Sequence, residues 1–219
     1  MKAWEMNDLY ISDKLIEESA AHKQAAVDGE NSGLAHFQVS PAQGKFLHLM
    51  AKMAGAGRIL EIGTFMGYSA IWLGMALPEN GELVCLEFDE EFAATARKNI
   101  ELAGLSDKVK VLHGDAAELL AKMVSDGVAP FDMIFIDADK TAYPAYLELA
   151  LQLSRAGTVI FGDNVVRGGE LQNLDNTDPK LQGVRQFIED LKSSGKLEST
   201  ALQTVGAKGY DGFAISIVK

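Results

Sequence analysis

Two carboxylates, an amide and a lysine are the side chains in this sequence best placed to do chemistry. Asp137 follows one apolar run, and Asp163 and Asn164 follow the next. Carboxylate and amide oxygens are hard ligands that suit Mg²⁺, Mn²⁺ or Ca²⁺. Lys140 comes three residues after Asp137 and would point into the same pocket. The alternative is ordinary turn chemistry, since Asp and Asn are common after strands, with Lys140 a solvated lysine.

A second candidate site lies at residues 58–69, where a short apolar run ends in glycine. Gly63 and Gly67 bracket a tight turn before Ser69, which opens an apolar helix. Glycines allow the backbone to approach a nucleotide closely, and helix starts favour anions. The Gly-x3-Gly spacing differs from the G-x-G-x-x-G of dinucleotide binders, because Phe65 occupies the position of the second glycine. A plain strand-to-helix turn is the alternative interpretation.

Two further acidic residues stand where a nucleoside would be bound. Glu87 lies 24 positions after Gly63 at the end of the second predicted strand, where a carboxylate suits ribose hydroxyls. Asp115 ends the third strand and could accept a hydrogen bond from an adenine amino group. Both residues could instead cap the helices that follow them, since acidic residues favour helix N-termini.

The elements that position these residues alternate between strands and helices. Strands are predicted at 59–62, 83–86, 109–112, 131–136 and 158–161, with a further pair at 197–205 and 212–218. The alternation indicates right-handed βαβ units on a mostly parallel sheet, closed by a C-terminal antiparallel hairpin across 206–211. Ligands bind at the carboxyl ends of such strands. We therefore expect one rim to gather Glu61, Glu87, Asp115, Asp137, Asp163 and Asn164.

The length, charge and residue content of the chain limit the classes of protein to which it can belong. At 219 residues the chain fits a single domain, 1–219, with an N-terminal helical cap at 1–40 and a core at 41–219. Its net charge of −11 disfavours a nucleic-acid partner. No apolar run reaches the length of a membrane span. Cys85 is the only cysteine, which together with a polar N-terminus predicts a cytoplasmic protein.

Four ordered motifs together resemble the cation-dependent O-methyltransferases of the caffeoyl-CoA and catechol type. They are EIGTFMGYS at 61–69, DADK at 137–140, GDN at 162–164 and KGYDGF at 208–213. The resemblance covers roughly residues 35–219. It implies a Rossmann-like α/β fold with seven strands, the last antiparallel, and enzymes similar to this chain are often homodimers.

The resemblance also implies a site. S-adenosylmethionine (SAM) would be bound by Val39, Glu61, Gly63, Thr64, Ser69, Glu87, Asp115, Ala116 and Asp137. Asp137, Asp163 and Asn164 would hold the divalent cation, with Mg²⁺ the first choice and Mn²⁺ or Ca²⁺ the alternatives. Lys140 would be the catalytic lysine, with a pKa lowered by the cation, and Asp137 would assist it. The acceptor would be a small phenol with vicinal hydroxyls, walled by residues 1–40 and 165–180.

The sequence leaves several alternative substrates and protein classes open. A caffeoyl-CoA-type ester is less favoured, because the N-terminal segment has few basic residues to bind its phosphates. A hydroxylated tRNA base is disfavoured by the acidic charge. An NAD-dependent oxidoreductase is opposed by the Gly-x3-Gly spacing and the terminal hairpin. A non-catalytic cofactor-binding protein is opposed by the predicted metal ligands and Lys140.

Overall fold

The computed structural model describes residues 2–219; Met1, where the predicted cap begins, lies outside the described residues. The helices are α1 (Ala3–Leu15), α2 (Ala20–Asn31), α3 (Pro41–Met53), α4 (Tyr68–Ala76), α5 (Glu90–Leu102), α6 (Ala116–Ser125), α7 (Tyr143–Gln152) and α8 (Pro179–Ser193). The strands are β1 (Arg58–Ile62), β2 (Glu82–Glu87), β3 (Val109–His113), β4 (Phe131–Ile136), β5 (Ser154–Asp163), β6 (Leu197–Gly206) and β7 (Gly209–Val218). Short 3₁₀ helices cover Ala35–Phe37, Lys140–Ala142 and Arg167–Gln172.

All seven strands form one sheet in the order β3-β2-β1-β4-β5-β7-β6. β7 is antiparallel to both β5 and β6, and the remaining pairs are parallel. The predicted fold class, a mostly parallel Rossmann-like sheet with a C-terminal antiparallel hairpin, is confirmed. Ile62 pairs with Ile136, and Ile136 pairs with Gly162, so the carboxyl ends of β1, β4 and β5 lie level.

The central strands are apolar because both faces of the sheet are covered. On one face Ile59 and Phe135 pack with Leu47 of α3 and Trp72 of α4. On the other face Leu60 packs in a second cluster with residues of α7 and α8. The strand ends lie directly above this closely packed core, which can hold their side chains in fixed positions.

The C-terminal part of the sheet extends beyond the predicted strands. The predicted connection at 206–211 shrinks to a two-residue turn, because the β6–β7 ladder continues to the Gly206–Gly209 pair. Gly209, the residue directly after this turn, has a positive φ of 100°, a conformation that glycine adopts without steric cost. β5 begins at Ser154 rather than at 158, and the segment after it contains the 3₁₀ helix Arg167–Gln172.

The predicted N-terminal helical cap contains the helices α1 and α2. α1 has no buried residue, and Asp8 ties it to the hairpin by accepting the Ala207 backbone N–H at 2.8 Å. α2 buries Ala21, His22 and Ala25. The proposed boundary between cap and core stays a prediction. Within residues 2–219 we find no helix with the length and apolar character needed to cross a bilayer.

Candidate active site

A cavity of about 1240 Å³ opens at the carboxyl ends of the parallel strands. The segment that joins α2 to α3 and the tip of the β6–β7 hairpin complete its walls. The lining includes most of the side chains singled out from the sequence: Val39, Gly63, Thr64, Ser69, Glu87, Asp115, Ala116, Asp137, Lys140, Asp163 and Asn164. The structure thus brings the two candidate sites together in one cavity.

The glycine turn is a tight loop between β1 and α4. Gly63 and Gly67 have φ of +88° and +84°, a region that side chains rarely adopt. Gly67 is also the N-cap of α4. Phe65, between them, has a positive φ of 50° and packs edge-on against Phe92 at 5.0 Å. The backbone conformation therefore explains both glycines without any ligand.

Glu87 holds this turn in place. One carboxylate oxygen accepts the backbone N–H groups of Thr64 at 3.2 Å and Phe65 at 2.8 Å. The other oxygen accepts the N–H of Asp89 at 2.9 Å. The carboxylate remains on the cavity wall, so a contact with ribose stays compatible with this role and stays a prediction.

Glu61 lies behind the turn rather than on the cavity wall. It is fully buried, and one of its oxygens accepts the Thr64 hydroxyl at 2.5 Å. Burial raises its pKa to about 7, against the opposing effect of hydrogen bonds such as that from Thr64. The other oxygen, Oε1, has no partner within the described chain. Its predicted contact with a cofactor stays a prediction, and this free acceptor is where such a contact could form.

Asp115 has the capping role that the sequence offered as the alternative. It is the N-cap of α6 and accepts the Glu118 backbone N–H at 3.0 Å. It also lines the cavity together with Ala116. The cap orients the carboxylate, and its predicted contact with adenine stays a prediction.

The predicted metal ligands converge because β4 and β5 are neighbours. Asp163 is buried; its Oδ1 accepts the Asn164 backbone N–H at 2.8 Å, and its Oδ2 accepts an amide N–H of Gln43 at 2.7 Å. Burial and the nearby charge of Asp137 raise the pKa of Asp163 to about 7. Asn164 is held at a positive φ of 55° beside it.

The three predicted metal ligands would all bind a cation through hard oxygen atoms. Residues 2–219 contain no cluster of three or more His, Cys, Asp or Glu residues placed to hold a metal ion. The predicted set has instead two carboxylates and an amide, Asp137, Asp163 and Asn164, all on the cavity lining. These donors suit a hard divalent cation, and the geometry leaves the assignment as a prediction.

Lys140 is buried, and its ammonium group contacts the Asp137 carboxylate at 2.8 Å. Burial alone would lower its pKa, but the charge of Asp137 and the contact with Tyr143 outweigh burial and raise it. The ion pair stabilises the charged form of the lysine. The expectation of a pKa lowered by the cation concerns the metal-bound site and stays a prediction.

Sequence reasoning missed two residues beside this cluster. Gln43 comes from α3, 120 positions before its partner Asp163, and no local pattern marks it. Tyr143 is fully buried, and its hydroxyl bridges the carbonyl oxygens of Ile136 at 2.8 Å and Asp163 at 2.9 Å. It thereby ties together the ends of β4 and β5.

The segments predicted to wall an acceptor, 1–40 and 165–180, form part of the cavity lining. The predicted walls contribute Asp8, residues 36–40, Arg167 and Lys180. The hairpin tip at 204–213 adds a third wall that was not predicted, and it includes Lys208 and Tyr210. The tip reaches the cavity because Asp211 accepts the N–H groups of Val166 at 3.0 Å and Arg167 at 2.9 Å.

Comparison with known proteins identifies the family. A family model described as O-methyltransferase matches residues 13–212. A catechol O-methyltransferase of Niastella koreensis is 47% identical over 216 residues, covering 99% of this chain and 98% of the relative.

Two solved structures share the fold over nearly their whole length. The O-methyltransferase from Bacillus cereus, solved in complex with SAH, is 48% identical with a TM-score of 0.95, and the match covers 99% of this chain and 98% of that one. The O-methyltransferase TomG from Streptomyces achromogenes, involved in tomaymycin synthesis and solved with SAM, is 44% identical with a TM-score of 0.96 over 100% of both chains.

These likenesses extend through the glycine turn, the strand ends and the hairpin, so they cover the whole candidate site. They set aside the oxidoreductase and the non-catalytic alternatives. The chain belongs to the O-methyltransferase family and is an O-methyltransferase.

Proposed function

We propose that this enzyme transfers the methyl group of SAM to one hydroxyl of a small aromatic vicinal diol, with a divalent cation at the rim. One observation carries the proposal: Asp137, Asp163 and Asn164 converge beside a buried lysine in the cavity that the glycine turn also lines. The name of the Niastella relative, a catechol O-methyltransferase, supports the same acceptor class.

The cofactor half of the cavity fits SAM. Gly63 and Thr64 offer a backbone that can approach a ligand, and the Glu87 carboxylate stands beside them to receive ribose hydroxyls. SAH and SAM occupy the related Bacillus and Streptomyces enzymes.

The acceptor half fits a chelating diol. A phenol has a pKa of about 10 and is a poor nucleophile at neutral pH. A cation held by Asp137, Asp163 and Asn164, with Mg²⁺ the first choice and Mn²⁺ or Ca²⁺ the alternatives, would stabilise the phenolate and fix its direction. Positioning of the oxygen in line with the methyl group then supplies much of the remaining rate enhancement.

Lys140 is the residue that we assign to the acceptor proton. In the ion pair with Asp137 its ammonium is charged and can only donate. It becomes able to accept a proton once Asp137 shares its charge with a second cation, because the attraction that keeps the lysine charged is then weaker. Because of this ion pair, Lys140 can act as a base only when the divalent cation is bound. Asp137 would then contact both the lysine and the cation.

A mass-spectrometric assay tests the proposal. The purified enzyme is incubated with SAM, Mg²⁺ and a panel of catechols, flavonoids and monophenols. A mass gain of one methyl group on vicinal diols, and none on monophenols, is expected. Equal methylation of monophenols would contradict chelation, and the absence of any methylated diol would contradict the acceptor class.

A second acceptor class is favoured by one observation. Arg167, Lys180 and Lys208 line the cavity, and none of them forms an ion pair with any described residue. These side chains could bind an anionic group of a substrate, so the caffeoyl-CoA-type ester stays an alternative acceptor. Competition between catechol, caffeate and caffeoyl-CoA, read as kcat/KM, separates these classes. The tRNA-base acceptor stays disfavoured by the net charge of −11.

We also infer a homodimer joined through α1. Large apolar side chains of this helix are 40–73% exposed: Trp4, Met6, Leu9, Tyr10, Ile11 and Leu15. An apolar surface of this kind on a helix without buried residues favours association, and a second copy is the partner that the family resemblance implies. Light scattering that gives a monomer mass would overturn this inference. The predicted cytoplasmic location stays a prediction.

A further inference from the structure

Gln43 makes a contact that its place in the helix does not explain. It is the third residue of α3, after the N-cap Ser40, whose hydroxyl accepts the Gln43 backbone N–H at 3.2 Å. A glutamine at this position commonly returns its side chain to the N-cap backbone, completing a capping box. Here the side-chain amide instead donates to Asp163 Oδ2 at 2.7 Å.

This contact completes the hydrogen bonding of a buried carboxylate. Asp163 is only 3% exposed, and its other oxygen already accepts the Asn164 backbone N–H at 2.8 Å. With one donor on each oxygen, the carboxylate cannot rotate without losing a bond. A buried oxygen left without a donor would be costly, so the pair of donors favours a single orientation.

The side-chain amide of Gln43, which donates this hydrogen bond to Asp163, carries no charge. Asp163 already has Asp137 as a like-charged neighbour and Lys140 as an opposite one. A glutamate at position 43 would add a further negative charge there, and a lysine would add a positive charge that repels a cation. An amide orients Asp163 and leaves the charge of the site unchanged.

We propose that Gln43 is a positioning residue that orients Asp163 for the divalent cation, an inference that rests on the proposed metal site. The remaining lone pairs of Asp163 are thereby directed toward the cavity, beside Asp137 and Asn164. Gln43 itself stays outside the ligand set. Hydrogen-bond partners of ligating carboxylates strongly affect metal affinity, and Gln43 has this position here.

The test compares Gln43→Met with a matched control. Gln186→Met removes the same kind of bond, from a glutamine amide to Asp190 at 2.8 Å, on an exposed face of α8 away from the cavity. Methionine keeps the length of the side chain and loses the donor. Mn²⁺ alone is titrated into the wild type and both variants, with free Mn²⁺ followed by electron paramagnetic resonance.

We expect Gln43→Met to weaken Mn²⁺ binding roughly tenfold or more, with Gln186→Met unchanged. SAM affinity should stay near the wild-type value, Tm should fall only modestly through the loss of one buried hydrogen bond, and added Mg²⁺ should restore kcat. Gln43→Ala should weaken Mn²⁺ binding in the same way, which covers the case that Gln43→Met folds poorly.

Three outcomes would overturn the proposal. Unchanged Mn²⁺ affinity in Gln43→Met, with Mn²⁺ bound by the wild type, rejects the positioning role and leaves the metal site standing. A parallel loss of SAM affinity, Tm and Mn²⁺ affinity shows that Gln43 has only a structural role. No Mn²⁺ or Mg²⁺ binding by the wild type removes the metal site itself, and the positioning role with it.

Discussion

The α-carbon of Gly63 lies against the backbone carbonyl of Asp137, so closely that a Cβ at position 63 would fall 2.2 Å from that oxygen. Asp137 also donates its N–H to the carbonyl of Ile62 at 2.8 Å. The glycine turn and the segment that carries Asp137 and Lys140 are therefore one packed unit. A substitution that adds a side chain at position 63 should therefore also displace the backbone of Asp137.

Gly63→Ala should impair folding and activity together, since the added methyl meets rigid backbone at a positive φ. Overpacking of this kind costs about 1–3 kcal/mol, to which the backbone strain adds. Gly104→Ala is the matched control, because Gly104 also has a positive φ but open space around its α-carbon. Equal Tm losses in the two variants would show that the clash with Asp137 has no effect.

Glu87→Gln should weaken SAM binding by about tenfold or more, since charge-assisted hydrogen bonds are worth roughly 1.5–3 kcal/mol. The variant weakens the bonds that fix the turn at Thr64 and Phe65, and it removes the charge offered to ribose. Calorimetry with SAM measures the effect, and Glu90→Gln on the exposed first turn of α5 is the control. An unchanged SAM affinity would contradict the assignment.

Lys140→Met should lower kcat by roughly 10²–10⁴-fold, the usual contribution of a general base. SAM binding should persist, because Lys140 is not among the residues predicted to bind SAM. Cation binding should be no weaker, since a positive charge leaves the site. Lys122→Met removes an exposed lysine paired with Asp126 and serves as the control. A fall in kcat of less than about threefold would show that Lys140 is not the general base.

Removal of divalent cations with EDTA should abolish methyl transfer and leave SAM binding and Tm intact, because the sheet core lies behind the rim. Mg²⁺ or Mn²⁺ should restore activity, and Zn²⁺ should do so poorly for lack of nitrogen and sulfur ligands. Asp163→Ala should reproduce the effect of EDTA, with weak rescue by added Mg²⁺. Full activity in a verified metal-free sample would refute the metal site.

Acid should destabilise the packing of α2 on the core through His22. This side chain is fully buried against the Trp72 ring at 4.1 Å, and its Nε2 has no partner within the described chain. Burial, with smaller effects of His48 and Lys45, lowers its pKa from 6.5 to about 4. The neutral form is favoured on folding, so its stabilising effect is complete above about pH 6.5 and is lost as the pH falls toward 4.

The loss should reach at most about 3 kcal/mol of the free energy of unfolding. Urea unfolding between pH 7 and 4 measures it, and the contribution of His22 is the difference in slope between wild type and His22→Phe. His113→Phe, at an exposed histidine, is the control. Equal pH dependence in wild type and His22→Phe would contradict this prediction.

The sequence by itself determined the strands, the helices and the rim on which the site lies. β4 covers the predicted residues 131–136, and β1 begins one residue before the predicted strand at 59–62 and ends with it. These features are local, because burial pattern and turn residues act over a few neighbouring positions. The order of polar strand ends then placed Glu87, Asp137 and Asp163 at one edge, since parallel strands share a direction.

Tertiary structure alone decided how those side chains are held. The Gln43–Asp163 bond joins residues 120 positions apart, and no local pattern encodes it. Glu61 lies within the apolar run that leads into the glycine turn, yet the packing of β1 between β2 and β4 places its side chain behind the cavity wall. The raised pKa of Lys140 depends on a distance of 2.8 Å to Asp137 inside a buried site. Such distances follow from close packing of the whole chain, whereas sequence spacing limits only which residues can meet.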